Sequence, residues 1–333
     1  MKKVALFILI CFHAYICIGQ TVLTKSQLFA NPEWENPSMA GMSDQLKLGF
    51  LYKQSINNSG DNISYVETGL FMPLTNTLNR ENDNSNFILS APSLTKQNEN
   101  NNGRKKHGIG INFSTLKLNG YQLNNLKLSY AYHLPVSKTL NLSFGVGVNA
   151  RQTRFDVGNF TVEDSQNDLF YQKLINSSFS GTLLLGSVGM SLYSSNMFLT
   201  ATLNNIKMYE NGNINTETNT SIIQTKISAA YKYAINSNFY VIPHASYHLN
   251  QQFEDQLLYN LRLNFKNQVY AGLGGENSRK ISFMFGVKLP KAIFLDYAFD
   301  HYVNYGQIVA KGVHEIGLTY IFNNKTLASP FLW

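Results

Sequence analysis

Residues 139–151 read TLNLSFGVGVNAR, and the polarity of their side chains alternates along the chain. In an extended strand, the apolar side chains fall on one face and Asn, Ser, Gly and Arg fall on the other. A period of two over about ten residues matches a tilted strand that crosses a bilayer, with lipid on one side and a polar lumen on the other. The segment therefore predicts a transmembrane β-strand, whose apolar face carries Leu140, Leu142, Phe144, Val146, Val148 and Ala150.

The same alternation recurs along the rest of the chain, most clearly in residues 257–265 and 281–289. A soluble sandwich would show it only once or twice, so the repetition favours an all-β transmembrane antiparallel barrel. We predict about fourteen strands, at residues 45–52, 62–72, 107–118, 121–134, 139–151, 181–193, 196–204, 223–235, 238–249, 256–265, 267–275, 280–290, 292–302 and 313–322.

The connections between these strands alternate in length. Outer-membrane barrels have short turns on the periplasmic side and longer loops outside, so an even strand count places both chain ends in the periplasm. Two connections break the rule. Asn119-Gly120 favours a tight type I′ hairpin where an outer loop is expected, and the Asn-rich stretch 73–106 is long where a short turn is expected. The short turns are predicted at 135–138, 194–195, 236–237, 266 and 291.

Residues 1–19 have the features of a secretory signal peptide. Two lysines precede the apolar run 4–10, and Gly19 is the small residue before the expected cleavage site. The apolar run is too short for a membrane-spanning helix. Cys11 and Cys17 would leave with this peptide, so the mature protein would have no disulfide, thiolate metal site or cysteine nucleophile.

The next segment, residues 20–44, contains Pro32 and Pro37 and shows little alternation. Because proline cannot pair within a central strand, we predict an irregular segment that is either a lumen plug or a periplasmic arm. Residues 45–322 form the predicted barrel, and 323–333 form a C-terminal tail. This organisation predicts an integral protein of the outer membrane of a Gram-negative bacterium.

The composition agrees with a membrane barrel. The mean hydropathy of the 333 residues is −0.17, as expected where every second strand residue is polar. Aromatic residues make up 13%, which fits interfacial girdles. The net charge of +7 is spread along the chain, apart from residues 104–106, so we do not predict nucleic-acid binding.

Two small motifs resemble chemical sites but favour structural roles. Gly145, Gly147 and Ala150 have the spacing of a dinucleotide-binding loop, which requires a helix where the strand pattern continues here. His244 and His248 share a strand face but would lie roughly 13 Å apart, too far for a shared metal ion. We predict no cofactor, no metal and no catalytic residue.

Asp296, Asp300, His314 and Glu315 form the most notable ionisable group, because the last two predicted strands are neighbours. Asp296 and Asp300 share the polar face of their strand. A structural network in the lumen, bonded to lysine, arginine or a plug, is favoured over a catalytic pair.

Several segments, taken in order, resemble the PorP/SprF family of type IX secretion system membrane proteins. Residues 36–41 (NPSMAG) resemble the family's opening N-P-A-x-A-G, and 128–135 (LSYAYHLP) resemble its S-Y-A-Y-H-I-P segment. Residues 294–300 (FLDYAFD) and 313–322 (VHEIGLTYIF) resemble its closing strands. The motif residues carried over, as structural or partner-binding positions, are Asn36, Pro37, Ala40, Gly41, Asp296, Tyr297, Asp300, His314 and Glu315.

The resemblance implies a non-enzymatic accessory of secretion in the outer membrane of Bacteroidota. Its implied partners are a secreted adhesin with a type IX C-terminal domain, other type IX components and outer-membrane lipid. It also implies that Pro37 and Gly41 fix a turn, and that His314 and Glu315 seat the plug or pair with a lumen cation. The chain departs from the family pattern at residues 51–54, where an aromatic and arginine-rich stretch is usual, so it resembles a divergent member.

The alternative function is transport of hydrophobic small molecules through a comparable plugged barrel. A transporter of this kind should have an apolar pocket in its lumen. The inward faces predicted here carry mainly Asn, Ser, Gly, Lys and Arg, which favours the secretion role.

Overall fold

One antiparallel sheet closes on itself into a barrel. The structure, a computed structural model, describes residues 24–43, 45–56, 63–74, 105–118, 120–137, 139–155, 166–167, 172, 180–212, 223–250, 255–277, 279–303 and 312–322. The strands are β1 (Lys47–Ile56), β2 (Ile63–Leu74), β3 (Lys106–Leu118), β4 (Tyr121–Pro135), β5 (Asn141–Phe155), β6 (Ser180–Tyr193), β7 (Met197–Gly212), β8 (Gln224–Tyr231), β9 (Tyr233–Ala234), β10 (Phe239–Asn250), β11 (Gln256–Phe265), β12 (Val269–Glu276), β13 (Lys280–Leu289), β14 (Ile293–Tyr302) and β15 (Gly312–Ile321).

The barrel closes between its first and last strands. β1 pairs with β15 from Lys47 opposite Ile321 to Ile56 opposite Gly312. β8 and β9 both pair with β10 and are separated by Lys232 alone, so they form one interrupted strand. The barrel therefore has fourteen strands, and the predicted fold class and strand count are confirmed.

The largest boundary difference is in β7, which was predicted to end at residue 204 and continues to Gly212. Its pairing with β6 shifts register near Leu184 and Gly186, and Asn205 has a positive φ of 62°. A bulge of this kind adds a residue to one strand and breaks the period-two alternation. The sequence pattern therefore stops at the bulge although the strand does not.

The two faces of the wall follow the predicted alternation. Along β14, Phe294, Asp296, Ala298 and Asp300 are buried, whereas the residues between them face outward. The outward side chains form an exposed apolar belt that suits lipid. The belt includes Leu48, Phe50, Ile111, Phe113, Leu128, Phe144, Val146, Leu261, Phe283, Phe285 and Leu318.

The two ends of the barrel differ. The turn end carries the short connections that follow β4, β6, β9, β11 and β13, and the loop end is opposite. The hairpin predicted at Asn119-Gly120 lies at the loop end, where Leu118 pairs with Tyr121 and Gly120 has a φ of +76°. At the turn end, β2 extends to Leu74 and β3 begins at Lys106, and most of the stretch 73–106 lies outside the described residues.

Residues 24–43, which we call the lumen segment, lie inside the barrel. They contain two short 3₁₀ helices, Pro32–Trp34 and Pro37–Met39, and most of their side chains are buried. No helix in the ranges given above is long and apolar enough to span a membrane. The proposed signal peptide (1–19) and the predicted C-terminal tail (323–333) lie outside the described residues.

Candidate functional site

The motif NPSMAG forms the central turn of the lumen segment. Asn36 precedes the second 3₁₀ helix, and its side-chain oxygen accepts hydrogen bonds from Ser38 N (3.0 Å) and Ser38 Oγ (2.8 Å). Pro37 occupies the first helical position, where its missing N–H costs nothing. The Asn36 amide also donates to the carbonyl oxygens of Met190 (3.4 Å) and Ala201 (3.3 Å) on the wall. The cap therefore shapes the turn and attaches it to β6 and β7.

Small residues on the wall let this turn approach closely. A Cβ atom at Gly145 would lie 2.2 Å from Ser38 N, and one at Gly189 would lie 2.0 Å from Asn36 Oδ1. Gly145 is one of the residues whose spacing resembles that of a dinucleotide-binding loop. Its role here is packing, because only a residue without a side chain leaves room for the backbone of the turn.

Gly41 ends the turn in a conformation that other residues rarely adopt, with a φ of +67°. A Cβ atom there would lie 2.6 Å from Gly108 Cα. The carbonyl oxygen of the preceding Ala40, which is fully buried, bonds to His133 Nε2 at 2.8 Å. The end of the motif is therefore held against β3 and β4 near the turn end.

A buried ionic cluster attaches the other end of the lumen segment. Lys53 Nζ lies 2.8 Å from an oxygen of Asp300 and 3.3 Å from an oxygen of Glu315. Glu315 also accepts from the backbone N–H groups of Ser26 (3.1 Å) and Gln27 (2.9 Å). These contacts join three wall strands to the lumen segment, so Asp300 and Glu315 act as its anchors. Lys280, Glu276, Ser282 and Thr24 complete the cluster.

Asp296 belongs to a second buried group. Its Oδ1 accepts from the Tyr270 hydroxyl at 2.8 Å. The Phe29 ring of the lumen segment packs edge-on against Tyr270, at 5.6 Å between centroids, and Arg262 Cζ lies 3.4 Å from the centroid of Phe29. Asp296 is therefore close to the lumen segment but does not share the Lys53 cluster.

His314 does not have the role in the lumen that the sequence predicted for it. It lies on the outer face of β15, where its Nδ1 is 2.7 Å from the hydroxyl of Tyr297 on β14. Neighbouring residues on a strand point to opposite faces, so His314 and Glu315 cannot both face the lumen. The expectation that His314 seats the plug or binds a lumen cation is wrong, whereas Glu315 does both.

The lumen segment runs from the loop end to the turn end. Thr24 contacts Glu276 and Lys280, which flank the loop-end hairpin between β12 and β13. At the other end, the carbonyl oxygen of Met42 accepts from Lys106, the first residue of β3. The chain therefore passes down the lumen before β1 returns through the wall. Thr24, the first described residue, lies at the loop end and not at the turn end, where the sequence placed both chain ends.

A polar cavity of about 180 Å³ remains beside the first 3₁₀ helix. At its edge, Lys25 bridges Glu35 and Glu67, at 2.6 Å to each, and Glu35 also pairs with Lys226. Burial opposes the charged form of each group. The two carboxylates nevertheless hold the pKa of Lys25 well above its usual value, and the two lysines hold the pKa of Glu35 well below its own. Both groups are therefore charged in the folded protein.

Sequence reasoning missed Lys25, Glu35, Lys53 and Lys226. Lys53 lies one residue beyond the predicted strand 45–52, and the structure extends this strand to Ile56, so that Lys53 faces the lumen. No sequence signal gave its partner. His244 and His248 share one face of β10, as predicted, and the structure shows that this is the buried lumen face. Within the part of the chain that the structure describes, no group of three or more His, Cys, Asp or Glu residues could hold a metal ion.

Residues 18–320 match the family described as type IX secretion system membrane protein PorP/SprF. The chain belongs to this family. As a PorP/SprF member with a barrel fold, it is a membrane component of type IX secretion, and its fold and family support an outer-membrane location. No curated protein matches the chain.

Solved outer-membrane barrels have a similar fold at low sequence identity. The toluene transporter TbuX of Ralstonia pickettii is 10% identical, with a TM-score of 0.49, and the match covers 87% of this chain and 93% of that one. The toluene transporter TodX of Pseudomonas putida is 9% identical, with a TM-score of 0.47 and coverage of 87% and 92%. BamA from Haemophilus ducreyi is 8% identical, with a TM-score of 0.37 and coverage of 84% and 71%.

Proposed function

We propose that this PorP/SprF protein is a non-enzymatic docking barrel, which supports the export or surface anchoring of a partner adhesin through the adhesin's C-terminal domain. Residues 1–19 would be removed as a signal peptide before the barrel enters the outer membrane. The adhesin and other type IX components would be its protein partners.

The observation that carries this proposal is the attachment of the lumen segment along its whole length. Ionic contacts hold it at the loop end, the Asn36 cap holds it at the centre, and the Lys106 and His133 bonds hold it at the turn end. Removing one partner of a buried ion pair costs about 3–5 kcal/mol of stability, because the other charge stays buried without its partner. The lumen segment is therefore not displaced easily. A filled lumen favours docking on the barrel over passage through it.

Transport of hydrophobic molecules has less support. The lumen does hold an apolar cluster, with Phe198, Ile242 and Phe294 on the wall, so the inward face is less polar than the sequence suggested. Phe29 and Met39 of the lumen segment already fill this cluster. The cavity next to it has a volume of about 20 Å³, which is enough for one water molecule and too small for a hydrocarbon.

Affinity purification from gently solubilised outer membranes tests the proposal. A tag inserted within residues 75–105 lies outside β2 (Ile63–Leu74) and β3 (Lys106–Leu118), and a tagged barrel of unrelated function is the control. We expect near-stoichiometric recovery of a large surface protein with a type IX C-terminal domain. Recovery of a fatty acid or similar ligand, with no protein partner, would overturn the docking role and support transport.

A deletion strain provides the second readout. Without the gene, the partner adhesin should disappear from the cell surface while unrelated type IX cargo remains. Loss of all type IX cargo would contradict a role that is specific to one adhesin.

A further inference from the structure

We propose that the polar cavity beside Trp34 binds a peptide carboxylate, namely the C-terminal end of the partner's chain. This inference rests on the proposed function, because the partner is the adhesin named there. The cavity lies between the first 3₁₀ helix and the loop end, and Lys127 and Arg151 line it from the loop-end halves of β4 and β5. By the rule of short periplasmic turns, this side faces the cell exterior.

Among the described residues around the cavity, two cations have no carboxylate partner. Glu35 and Glu67 are neutralised by Lys25 and Lys226. In contrast, Lys127 Nζ donates to the carbonyl oxygen of Trp34 at 3.2 Å. Among the residues that the structure describes, Lys127 has no carboxylate within 4.0 Å.

Arg151 also has no carboxylate partner among the described residues. Its Nε donates to Asn125 Oδ1 and its Nη2 donates to Asn205 Oδ1, both at 3.0 Å. These partners are neutral amides, and no ion pair joins Arg151 to a carboxylate of the described chain. The planar guanidinium retains donors that suit a carboxylate, and together with Lys127 it gives the described lining of the cavity an excess of two positive charges.

Unsatisfied polar atoms in the cavity wall provide an independent indication of a ligand. Ser187 lines the cavity and is only 7% exposed, yet its Oγ has no hydrogen-bond partner among the described residues. Asn149 Oδ1, also in the lining, has none either. Buried polar groups are almost always paired, so a donor and an acceptor without protein partners in one cavity suit a polar ligand. A chain end supplies both a carboxylate that accepts and a peptide N–H that donates.

The size and lining of the cavity select the kind of anion. A volume of about 180 Å³ is below the range of drug-sized sites, roughly 300–1,000 Å³, so it takes the end of a chain and not a folded domain. Glu35 and Glu67 disfavour a phosphate dianion, whereas side-chain amides suit the peptide groups next to a chain end. The amides are Asn112, Asn125, Asn149, Asn204, Asn205 and Gln224.

Peptide binding to the full-length protein in nanodiscs tests the site. The probe is the peptide Gly-Ser-Gly-Ser-Gly-Ala, which has no charged side chain and carries a neutral fluorophore at its N-terminus and a free C-terminal carboxylate. Its binding is measured by fluorescence anisotropy. Its twin has an amidated C-terminus, and inorganic phosphate is the competitor. We expect the amide to bind roughly tenfold to a hundredfold more weakly, as for loss of a charge-assisted hydrogen bond.

Substitutions of Lys127 and Arg151 test whether these two cations bind the peptide carboxylate. Lys127→Gln and Arg151→Gln should each weaken the free-acid peptide roughly tenfold, whereas Lys207→Gln, which removes an exposed lysine, should not. Arg151→Lys keeps the charge and should retain part of the affinity. Migration of the unheated protein in SDS gels confirms that each variant is folded. Equal binding of acid and amide, or no effect of either cavity substitution, overturns the site, and so does phosphate binding without peptide binding.

The test separates this inference from the proposed function. If the adhesin copurifies equally with wild type and with the Lys127→Gln, Arg151→Gln double variant, the carboxylate site is wrong and the docking role stands. If no adhesin copurifies but the free-acid peptide still binds through Lys127 and Arg151, the docking role is wrong and the anion site stands.

Discussion

Lys53 Nζ lies 2.8 Å from a carboxylate oxygen of Asp300, although the two residues are 247 positions apart in the chain. The same nitrogen donates to the carbonyl oxygen of Thr24 at 2.6 Å. Lys53 and Asp300 are both almost completely buried, at 1% and 0% exposure. One cation therefore joins the first strand, a late strand and the lumen segment, and barrel closure and the seating of this segment depend on the same contact.

Replacing Lys53 tests how strongly this contact stabilises the protein. Lys53→Met keeps most of the volume but leaves Asp300 and Glu315 buried beside fewer cations, and we expect a loss of about 3 kcal/mol or more. The measurement is the temperature at which the folded band disappears in SDS gels. Lys207→Met is the control, since its side chain is 44% exposed, and it should change little. An unchanged unfolding temperature in Lys53→Met would contradict the anchoring role.

His314 and Glu315 form a natural matched pair, because they are neighbours that face opposite sides of β15. Glu315→Leu removes the acceptor of two backbone N–H groups and should destabilise the protein by roughly 2–4 kcal/mol. His314→Leu removes one bond to Tyr297 and adds an apolar side chain to the lipid face, so its effect should be within about 1 kcal/mol. Thermal unfolding in detergent checks both. Equal losses would show that the assignment of faces is incorrect.

The sequence predicted the strands because alternation is a local property of a strand between lipid and lumen. It also placed Asp296 and Asp300 on the inner face. It could not give the pairs, since the register of a closed barrel brings Lys53 to residues more than 240 positions away. The error with His314 came from treating a His-Glu dipeptide as one site, although strand geometry separates its members.

Gly41 provides a test of the central motif. Gly41→Ala places a side chain at a positive φ and 2.6 Å from the Gly108 backbone, so we expect a loss of about 2 kcal/mol or more. Gly186→Ala is the control, because the nearest atom to its added Cβ is the flexible Met208 Sδ at 3.3 Å. Limited proteolysis of the lumen segment measures the effect. If both variants resist the protease like wild type, the turn does not require glycine.

The ion pairs of Lys25 and Glu35 predict how the lumen segment responds to pH. Glu35 has a lowered pKa, so its contribution is present above its ordinary value of 4.5 and is lost as the pH falls through the folded value. Lys25 has a raised pKa, so its contribution is present below 10.5 and is lost as the pH rises through the folded value. The stability difference between wild type and Glu35→Gln should therefore be constant from about pH 5 to pH 10. Thermal unfolding across this range measures it, and a difference that disappears near pH 7 would refute the assignment.

A disulfide across the lumen tests whether the lumen segment stays in place during function. Ser38 Oγ on the segment lies 2.5 Å from Ser191 Oγ on β6, close enough for Ser38→Cys and Ser191→Cys to be linked by oxidation. If the predicted signal peptide is removed, no other cysteine competes, and the oxidising periplasm favours the bond. We expect the crosslinked protein to display the partner adhesin as wild type does, because docking does not require an open lumen. Loss of display that a reductant restores, with the single Ser38→Cys variant unaffected, would instead show that the segment must leave the barrel.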